Sequence, residues 1–268
     1  MTILVVGATG KTGRRIVDRL TALGLPVRAG SRSGTPSFDW KDRATWAAAL
    51  RDVQSVYISY YPDIVVDGAL DDIRAFTEQA VAAGVRRLVL LSGRNEAQAQ
   101  AAERVVQESG VEWTVVTCSW FMQNFTEGYL LDPVREGVIA LPARDVAEPF
   151  VDVDDIADVA VAALTEDGHT GRIYELTGPR LLTFAEVAAE LSTATGREIV
   201  YVPLSIEEYA AGAAELGLPE ADIDMLTTLF AEVLDGRNAY PADGVQQALG
   251  RPARDFADYA RANAAAWS

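Results

Sequence analysis

Short apolar runs alternate with segments of helical periodicity over the first 120 residues of this chain. Thr2 to Val6 is a continuous, β-branched run of the kind found in strands that are buried on both faces. A glycine-rich turn and a helical pattern over residues 14–23 follow. The same criteria predict strands at 26–29, 55–58, 87–91 and 113–117, and helices at 45–50, 73–83 and 97–108. This alternation predicts a parallel sheet with right-handed crossovers.

The pattern loosens after Cys118, where a helix at 156–164 and a strand at 172–176 are expected to return to the sheet. Residues 209–267 predict helices joined by turns. Two pairs with the spacing of a capping box open further helices: Thr183 with Glu186, and Ser205 with Glu208.

Composition limits what the chain can do. Of its 268 residues 49% are hydrophobic, which is enough for a sizeable core, but no run approaches the roughly 20 apolar residues that cross a bilayer. The N-terminal apolar run is too short for a signal peptide, and a single cysteine is compatible with a reducing compartment. The net charge of −16 opposes binding to nucleic acid or anionic membrane. We therefore expect a cytoplasmic protein with neither partner.

The rare residues exclude several chemistries. With His169 and Cys118 as the sole histidine and cysteine, a His/Cys metal cage is impossible and a Ser-His-Asp hydrolase is improbable. His169 lies in a predicted turn and is expected to be exposed, whereas Cys118 closes a buried strand and is expected to be inert. A cluster of acids before the predicted helix at 156–164 is expected to play a structural role at the helix N-terminus: Asp152, Asp154 and Asp155.

Three glycines spaced three apart lie directly between the first strand and the first helix. In this position glycines allow the backbone to approach a pyrophosphate closely, and the helix N-terminus offers free N–H groups. The predicted dinucleotide-binding turn comprises Gly7, Thr9, Gly10, Lys11, Thr12 and Gly13. The alternative is a tight strand–helix turn without a ligand.

The end of the second strand indicates which dinucleotide binds. An NAD site usually has an acid there, which binds the ribose 2′-hydroxyl. Here Ser31, Arg32 and Ser33 follow Gly30, and an arginine with two hydroxyls suits a 2′-phosphate. The sequence therefore predicts NADPH as cofactor, and the alternative for Arg32 is a solvated loop residue.

The chain resembles the NmrA-like, atypical short-chain dehydrogenase/reductase family over nearly its whole length, and within it the ergot-alkaloid-type reductases and their bacterial relatives. The glycine turn is common to a large superfamily. The more specific segments are Phe38-Asp39-Trp40 and Trp120-Phe121-Met122-Gln123-Asn124-Phe125. The resemblance implies a doubly wound, parallel-sheet Rossmann fold of the α/β class, with a smaller, mainly helical C-terminal substrate lobe. We expect residues 1–150 to form the NAD(P)-binding domain, and residues 151–268 to complete the sheet and form the lobe, as one continuous domain.

The resemblance also implies roles for individual residues. Asp39 and Trp40 would flank the adenine. Along the ribose and nicotinamide would lie Ser59, Tyr60, Tyr61, Ser92, Gly93 and Cys118. The substrate would be bordered by Tyr60, Tyr61, Trp120, Phe121, Asn124 and Phe150. Relatives usually carry Arg-Pro where this chain has Thr117-Cys118, which leaves the substrate open.

The lysine content restricts the reaction. No lysine follows Lys41, so the Tyr-x-x-x-Lys pair of many short-chain dehydrogenases cannot exist here. Tyr60, Tyr61 and Ser92 are the candidate proton donors, although the tyrosines also fit an aromatic wall. Hydride transfer to an iminium needs no positioned acid, and a quinone or enone is intermediate. The expected function is NADPH-dependent reduction of an apolar small molecule of imine, iminium, quinone or enone type, by a monomer or homodimer. The alternatives are a non-catalytic NADP sensor and a redox-neutral isomerase or lyase.

Overall fold

A computed structural model describes residues 2–268, which divide into two compact units. The first unit contains the chain up to Cys118 together with Val153–Leu176 and Asp243–Pro252. The second unit contains Ser119–Asp152, Thr177–Ala242 and Ala253–Ser268. The chain therefore leaves and re-enters the first unit twice.

A six-stranded, all-parallel sheet forms the centre of the first unit. Its strands are β1 (Thr2–Val6), β2 (Val27–Gly30), β3 (Val53–Ile58), β4 (Arg87–Gly93), β5 (Glu112–Cys118) and β8 (Arg172–Leu176). They lie in the order β2-β1-β3-β4-β5-β8, which is typical of a doubly wound α/β protein. Because every pair is parallel, the carboxyl ends of all six strands share one edge of the sheet.

Helices connect these strands. In the first unit they are α1 (Lys11–Ala22), α2 (Trp46–Leu50), α3 (Ala69–Ala82), α4 (Ala97–Gln107), α7 (Val153–Thr165) and α11 (Gly244–Leu249). On one side of the sheet, α3 and α4 cover Leu88 and Leu90 of β4 with Phe76, Ala102 and Val106. The apolar spacing seen in the sequence thus corresponds to the buried face of each helix.

The second unit is mainly helical, as predicted. Its helices are α5 (Asn124–Glu127), α6 (Leu131–Glu136), α8 (Phe184–Thr195), α9 (Ile206–Glu215), α10 (Glu220–Val233) and α12 (Phe256–Asn263). Its short strands are β6 (Val138–Leu141) parallel to β10 (Val200–Pro203), and β7 (Ala147–Glu148) antiparallel to β9 (Leu182–Thr183). Both predicted capping boxes are present, at the start of α8 and of α9.

The acids near the start of α7 play a structural role, in which Asp154 and Asp155 form ion pairs with arginines. Asp154 and Asp155 lie inside the first turn of the helix rather than before it. The fully buried carboxylate of Asp155 pairs with the Arg251 guanidinium at 2.7 Å, and Asp154 pairs with Arg19 at 2.6 Å. A buried carboxylate requires such a partner because its desolvation is costly.

His169 is buried, so the prediction of an exposed histidine is wrong. The residue is only 7% exposed, and its Nδ1 lies 2.9 Å from the hydroxyl of Tyr174 on β8. Its carbonyl oxygen accepts a hydrogen bond from Thr114 of β5. Burial lowers the pKa of His169 from its usual range. The turn that contains it folds over the end of the sheet, a tertiary contact that local sequence does not reveal.

Among residues 2–268, the longest helices span 14 residues, and none is long and apolar enough to cross a membrane.

Two helical glycines differ in the room available for a side chain, so the same substitution at both forms a matched pair. A Cβ on Gly244 would lie 2.7 Å from the carbonyl carbon of Glu175, whereas a Cβ on Gly212 in α9 would meet nothing within 4 Å. We expect Gly244→Ala to lower the free energy of unfolding by about 1–3 kcal/mol through overpacking. Gly212→Ala should raise it by up to about 1 kcal/mol, because alanine loses less backbone entropy. Urea unfolding measures both, and equal effects of the two substitutions would contradict the placement of Gly244.

Candidate functional site

The glycine turn between β1 and α1 leaves no room for side chains. Gly7 has φ of 73°, in the left-handed region that favours glycine. A Cβ on Gly13 would lie 2.7 Å from the carbonyl carbon of Gly7 and 2.9 Å from the Cα of Ala8. The first turn of α1 therefore lies directly against the end of β1, which only a missing side chain permits.

The N-terminus of α1 is open to an anion. Gly10 is its N-cap and supplies no side-chain hydrogen bond, and no acidic residue lies in the first turn. Uncapped backbone N–H groups and the helix dipole together favour a phosphate at this position. The predicted residues Thr9, Lys11 and Thr12 lie on this turn.

The ends of β2 and β3 come together beside the glycine turn, since both strands flank β1. The guanidinium of Arg32 lies 5.7 Å from the ring centroid of Tyr61, a side chain that is 66% exposed. The hydroxyl oxygens of Ser31 and Ser33 are 3.5 Å apart. The two serines and the arginine thus form one exposed polar cluster at the end of β2, with no acid among them.

Trp40 packs against the segment that follows β3 at this edge of the sheet. The indole is only 6% exposed and packs with Phe38, Trp46 and Phe76 in the core of the first unit. Its Nε1 donates to the carbonyl oxygen of Ser59 at 3.1 Å, and its ring centroid lies 4.7 Å from that of Tyr60. Trp40 therefore positions the Ser59–Tyr60 segment, while its contact with an adenine stays a prediction.

Tyr60 is held by charged neighbours. Its hydroxyl donates to the Asp72 carboxylate at 2.8 Å, and the Lys41 amine donates to the hydroxyl at 3.4 Å. Burial and the carboxylate together raise the pKa of Tyr60 above its usual range. A lysine is thus near a tyrosine here, but the phenol is a weaker acid than usual, unlike the tyrosine in a Tyr-x-x-x-Lys pair.

Ser92 lies at the carboxyl end of β4 with Gly93, opposite Thr117 and Cys118 of β5. Its hydroxyl is directed towards α4 and donates to Glu103 Oε1 at 2.6 Å. Sequence reasoning missed Glu103. Its position relative to Ala99 and Val106 on the buried face of α4 was the available signal.

A buried arginine next to Gly93 was also missed. The side chain of Arg94 is 1% exposed, and its guanidinium pairs with Glu175 of β8 at 2.6 Å. Arg94 also lies close enough to Cys118 to lower the pKa of that thiol slightly. Burial is the larger effect and raises the pKa of Cys118 far above its usual range. The sulfur is the only thiol in the sequence and behaves as a small apolar group.

The predicted substrate residues of the second unit lie at an aromatic cluster. The ring of Trp120 stacks on Phe230 of α10 at 5.7 Å and meets Phe184 edge-on at 5.9 Å. Phe121 is half-buried and forms an isolated β-bridge with Val151. Asn124 is the first residue of α5. Phe150 is buried among other aromatic rings of this core, so the structure gives it a packing role. Ligand contacts of all four residues stay predictions.

The parallel sheet thus brings most predicted cofactor residues to one edge. The glycine turn, Ser31–Ser33, Ser59–Tyr61, Ser92–Gly93 and Cys118 follow the carboxyl ends of five adjacent strands. Ligands of open α/β sheets bind at this edge. The arrangement suits an extended anionic ligand with its phosphates at α1.

Thiol reactivity tests whether Cys118 is buried at the carboxyl end of β5. A thiol whose pKa is raised by burial is rarely ionised and reacts slowly, because the thiolate is the nucleophile. We expect native protein at pH 8 to resist a disulfide-exchange reagent and protein in denaturant to release one equivalent of chromophore rapidly. Cys118→Ala provides the blank. Rapid modification of the native thiol would contradict its buried position.

Comparison with known proteins agrees with this geometry. The NmrA-like family model matches residues 1–245. An NAD(P)H azoreductase from Xenophilus azovorans is 35% identical, with 99% of each chain covered. Agroclavine dehydrogenase from Claviceps fusiformis is also 35% identical, with 100% of this chain and 99% of the relative covered. The structure of a Citrobacter sp. triphenylmethane reductase complexed with NADP(H) matches with a TM-score of 0.82 at 20% identity, covering 98% of this chain and 100% of the other. The family resemblance read from the sequence is confirmed, and the chain belongs to the NmrA-like family.

Proposed function

We propose that this protein is an NADPH-dependent reductase that transfers hydride to an apolar, planar small molecule. The observation that carries the proposal is the edge at which an uncapped, glycine-lined helix N-terminus lies beside the Ser31–Arg32–Ser33 cluster. The first feature suits a pyrophosphate and the second suits a 2′-phosphate. The arginine and the two serines at the end of β2 are sufficient to favour NADPH over NADH.

The preference for NADPH over NADH rests on charge. A carboxylate at the end of β2 would accept a hydrogen bond from a ribose hydroxyl and repel a phosphate. The side chain of Arg32 instead offers a planar, permanently charged group with several donors. A structural neighbour holds NADP(H), while the name of the NAD(P)H azoreductase covers both nucleotides.

The remaining edge residues bind and orient. Bound NADPH supplies the hydride from its nicotinamide ring. Ser59, Ser92 and Gly93 would lie along the ribose and nicotinamide, and Trp40 keeps the Ser59 segment in place through its indole hydrogen bond. Tyr60 is a poor proton donor because burial and the Asp72 carboxylate both stabilise its protonated form. Ser92 and Tyr61 remain as the candidate hydroxyls.

The acceptor class is inferred from the residues and from the relatives together. The aromatic cluster around Trp120 and Phe230 suits a flat, apolar molecule. Relatives are named for an azo reduction and for clavine alkaloids, and a structural neighbour is an NADPH-dependent quinone oxidoreductase from Escherichia coli. The azo and quinone groups in two of these names are conjugated acceptors. From the residues and these names together we infer an imine, iminium, quinone, enone or azo group.

The role of Arg32 is tested by removing its charge. Loss of a charge-assisted contact with the 2′-phosphate should raise the Kd for NADPH by roughly 10- to 100-fold in Arg32→Ala. The Kd for NADH should barely change, because NADH has no 2′-phosphate. Arg86→Ala is the matched control: Arg86 is exposed next to the amino end of β4, at the opposite edge of the sheet. Fluorescence titration measures the Kd for NADPH and the Kd for NADH of the wild type and of each variant.

Activity is then followed as NADPH oxidation with a panel of cyclic imines, quinones, enones and azo dyes. Oxidation with any of these acceptors supports the reductase. Binding without turnover would instead favour a dinucleotide sensor, and product formation without NADPH consumption would favour a redox-neutral catalyst. If neither nucleotide bound, the proposal would fail at its first step.

A further inference from the structure

A buried carboxyl group lies directly behind the hydroxyl at the end of β4. Glu103 is 7% exposed and Ser92 is 4% exposed, and the 2.6 Å between Ser92 Oγ and Glu103 Oε1 is a short hydrogen bond. Burying an acid is costly unless the acid is hydrogen-bonded, paired or neutral. The other buried residues of α4 are apolar, namely Ala99, Ala102 and Val106, so Glu103 is the one ionisable residue of this face.

The environment of Glu103 favours its neutral form. Burial raises the pKa of the Glu103 carboxyl, and this outweighs the opposing effects of the Ser92 hydrogen bond and of Arg104 on the same helix. Helix α4 packs against α3, β4 and β5. The other ionisable residues of those elements are Asp71, Asp72, Arg74 and Glu78 of α3, Arg87 of β4, and Glu112 and Cys118 of β5. Arg87 and Glu112 pair with each other at the far ends of their strands.

We propose that Ser92 and Glu103 form a proton relay that serves acceptors whose reduced product is an anion. This inference rests on the proposed reductase function and extends it to a pair of residues. When Glu103 is ionised, Ser92 donates across the 2.6 Å contact, and when Glu103 is protonated, its carboxyl donates to Ser92 Oγ instead. In the protonated state the Ser92 O–H can turn to the acceptor, so Ser92 would touch the acceptor and Glu103 would act through Ser92 as its proton source.

Reduction of the acceptor takes up one hydride and one proton. A quinone, enone or azo acceptor gains a hydride, and an electron pair then resides on its oxygen, carbon or nitrogen. The O–H bond of Ser92 breaks as its proton passes to that atom, and the carboxyl proton of Glu103 moves to Ser92 Oγ. Glu103 is left as a carboxylate, which takes one proton from water. Each turnover thus consumes one hydride and one proton.

The relay separates two acceptor classes. An iminium carbon already carries a positive charge, and hydride arrival neutralises it without any proton. A positioned acid would therefore serve no purpose for an iminium, whereas it accelerates formation of a hydroquinone, a saturated ketone or a hydrazine. The presence of this pair thus favours quinone, enone or azo acceptors as the preferred substrates.

Glu103→Gln tests the relay with little change of shape. Glutamine can donate an amide N–H to Ser92 Oγ or accept a hydrogen bond from it, but it has no acidic proton. For quinone, enone or azo acceptors, kcat should fall on the order of 100-fold, the usual contribution of a general acid. With an iminium acceptor, kcat should stay within about twofold, as should the Kd for NADPH, because neither needs the proton. Glu108→Gln, at the exposed end of the same helix, is the matched control and should behave as wild type.

The pH profile supplies a second readout. In the wild type, kcat with an anion-forming acceptor should fall as the pH rises through the pKa of Glu103, because the relay needs the protonated carboxyl. This limb should be absent in Glu103→Gln. Equal losses with both acceptor classes, or an unchanged pH limb, would overturn the relay while leaving the reductase intact. Absence of NADPH oxidation by the wild type would overturn the reductase and the relay together.

A measurement without turnover checks the protonation state itself. The folded protein raises the pKa of Glu103 above its unfolded value, so folding favours the protonated carboxyl. Its contribution to stability is therefore present at low pH and is lost as the pH rises from the unfolded pKa through the folded one. The Tm of Glu103→Gln relative to wild type should accordingly increase across that range. A difference in Tm that is independent of pH would contradict a proton-holding Glu103.

Discussion

The close approach of α1 to the end of β1 is the constraint on which the proposed site depends. The helix starts so near the carbonyl group of Gly7 that no side chain fits at Gly13. This approach places the N-terminus of α1, which has no side-chain cap, at the edge where the strands end. Because the sheet is entirely parallel, the same edge also receives the polar residues that follow the other strands. Helix placement and ligand chemistry are therefore determined by one contact.

Although the protein is strongly acidic, its charges are distributed so that the carboxyl edge of the sheet can accept phosphates. The net charge is −16, yet several acids near the sheet pair with arginines, as in Arg251–Asp155 and Arg94–Glu175. At the end of β2, Arg32 and two serines stand without an acid between them. A local positive group is sufficient for a single dinucleotide, whereas a long polyanion meets the field of the whole surface.

The second unit is organised around aromatic packing rather than around a sheet. Trp267 anchors its C-terminal end, because its buried indole donates to the carbonyl oxygen of Phe125 at 2.6 Å. Phe125, Phe150 and Phe256 form the interior, and Trp120 stacks on Phe230 at the border of this cluster. Rings that are only partly covered, such as that of Trp120, are the ones from which a flat ligand would gain contact area.

The sequence by itself determined the features that arise from local periodicity and turn chemistry. The six strands of the parallel sheet, most helices, the glycine turn and both capping boxes could be predicted because each depends on residues close together in the chain. The four short strands of the second unit were not predicted. The burial of His169 and the pairing of Ser92 with Glu103 arose only in the tertiary structure. Eleven positions separate Ser92 from Glu103, and strand and helix must pack before the two side chains meet. A glutamate on a helix is ordinarily solvated, so only packing shows that this one is buried and that burial raises the pKa of its carboxyl.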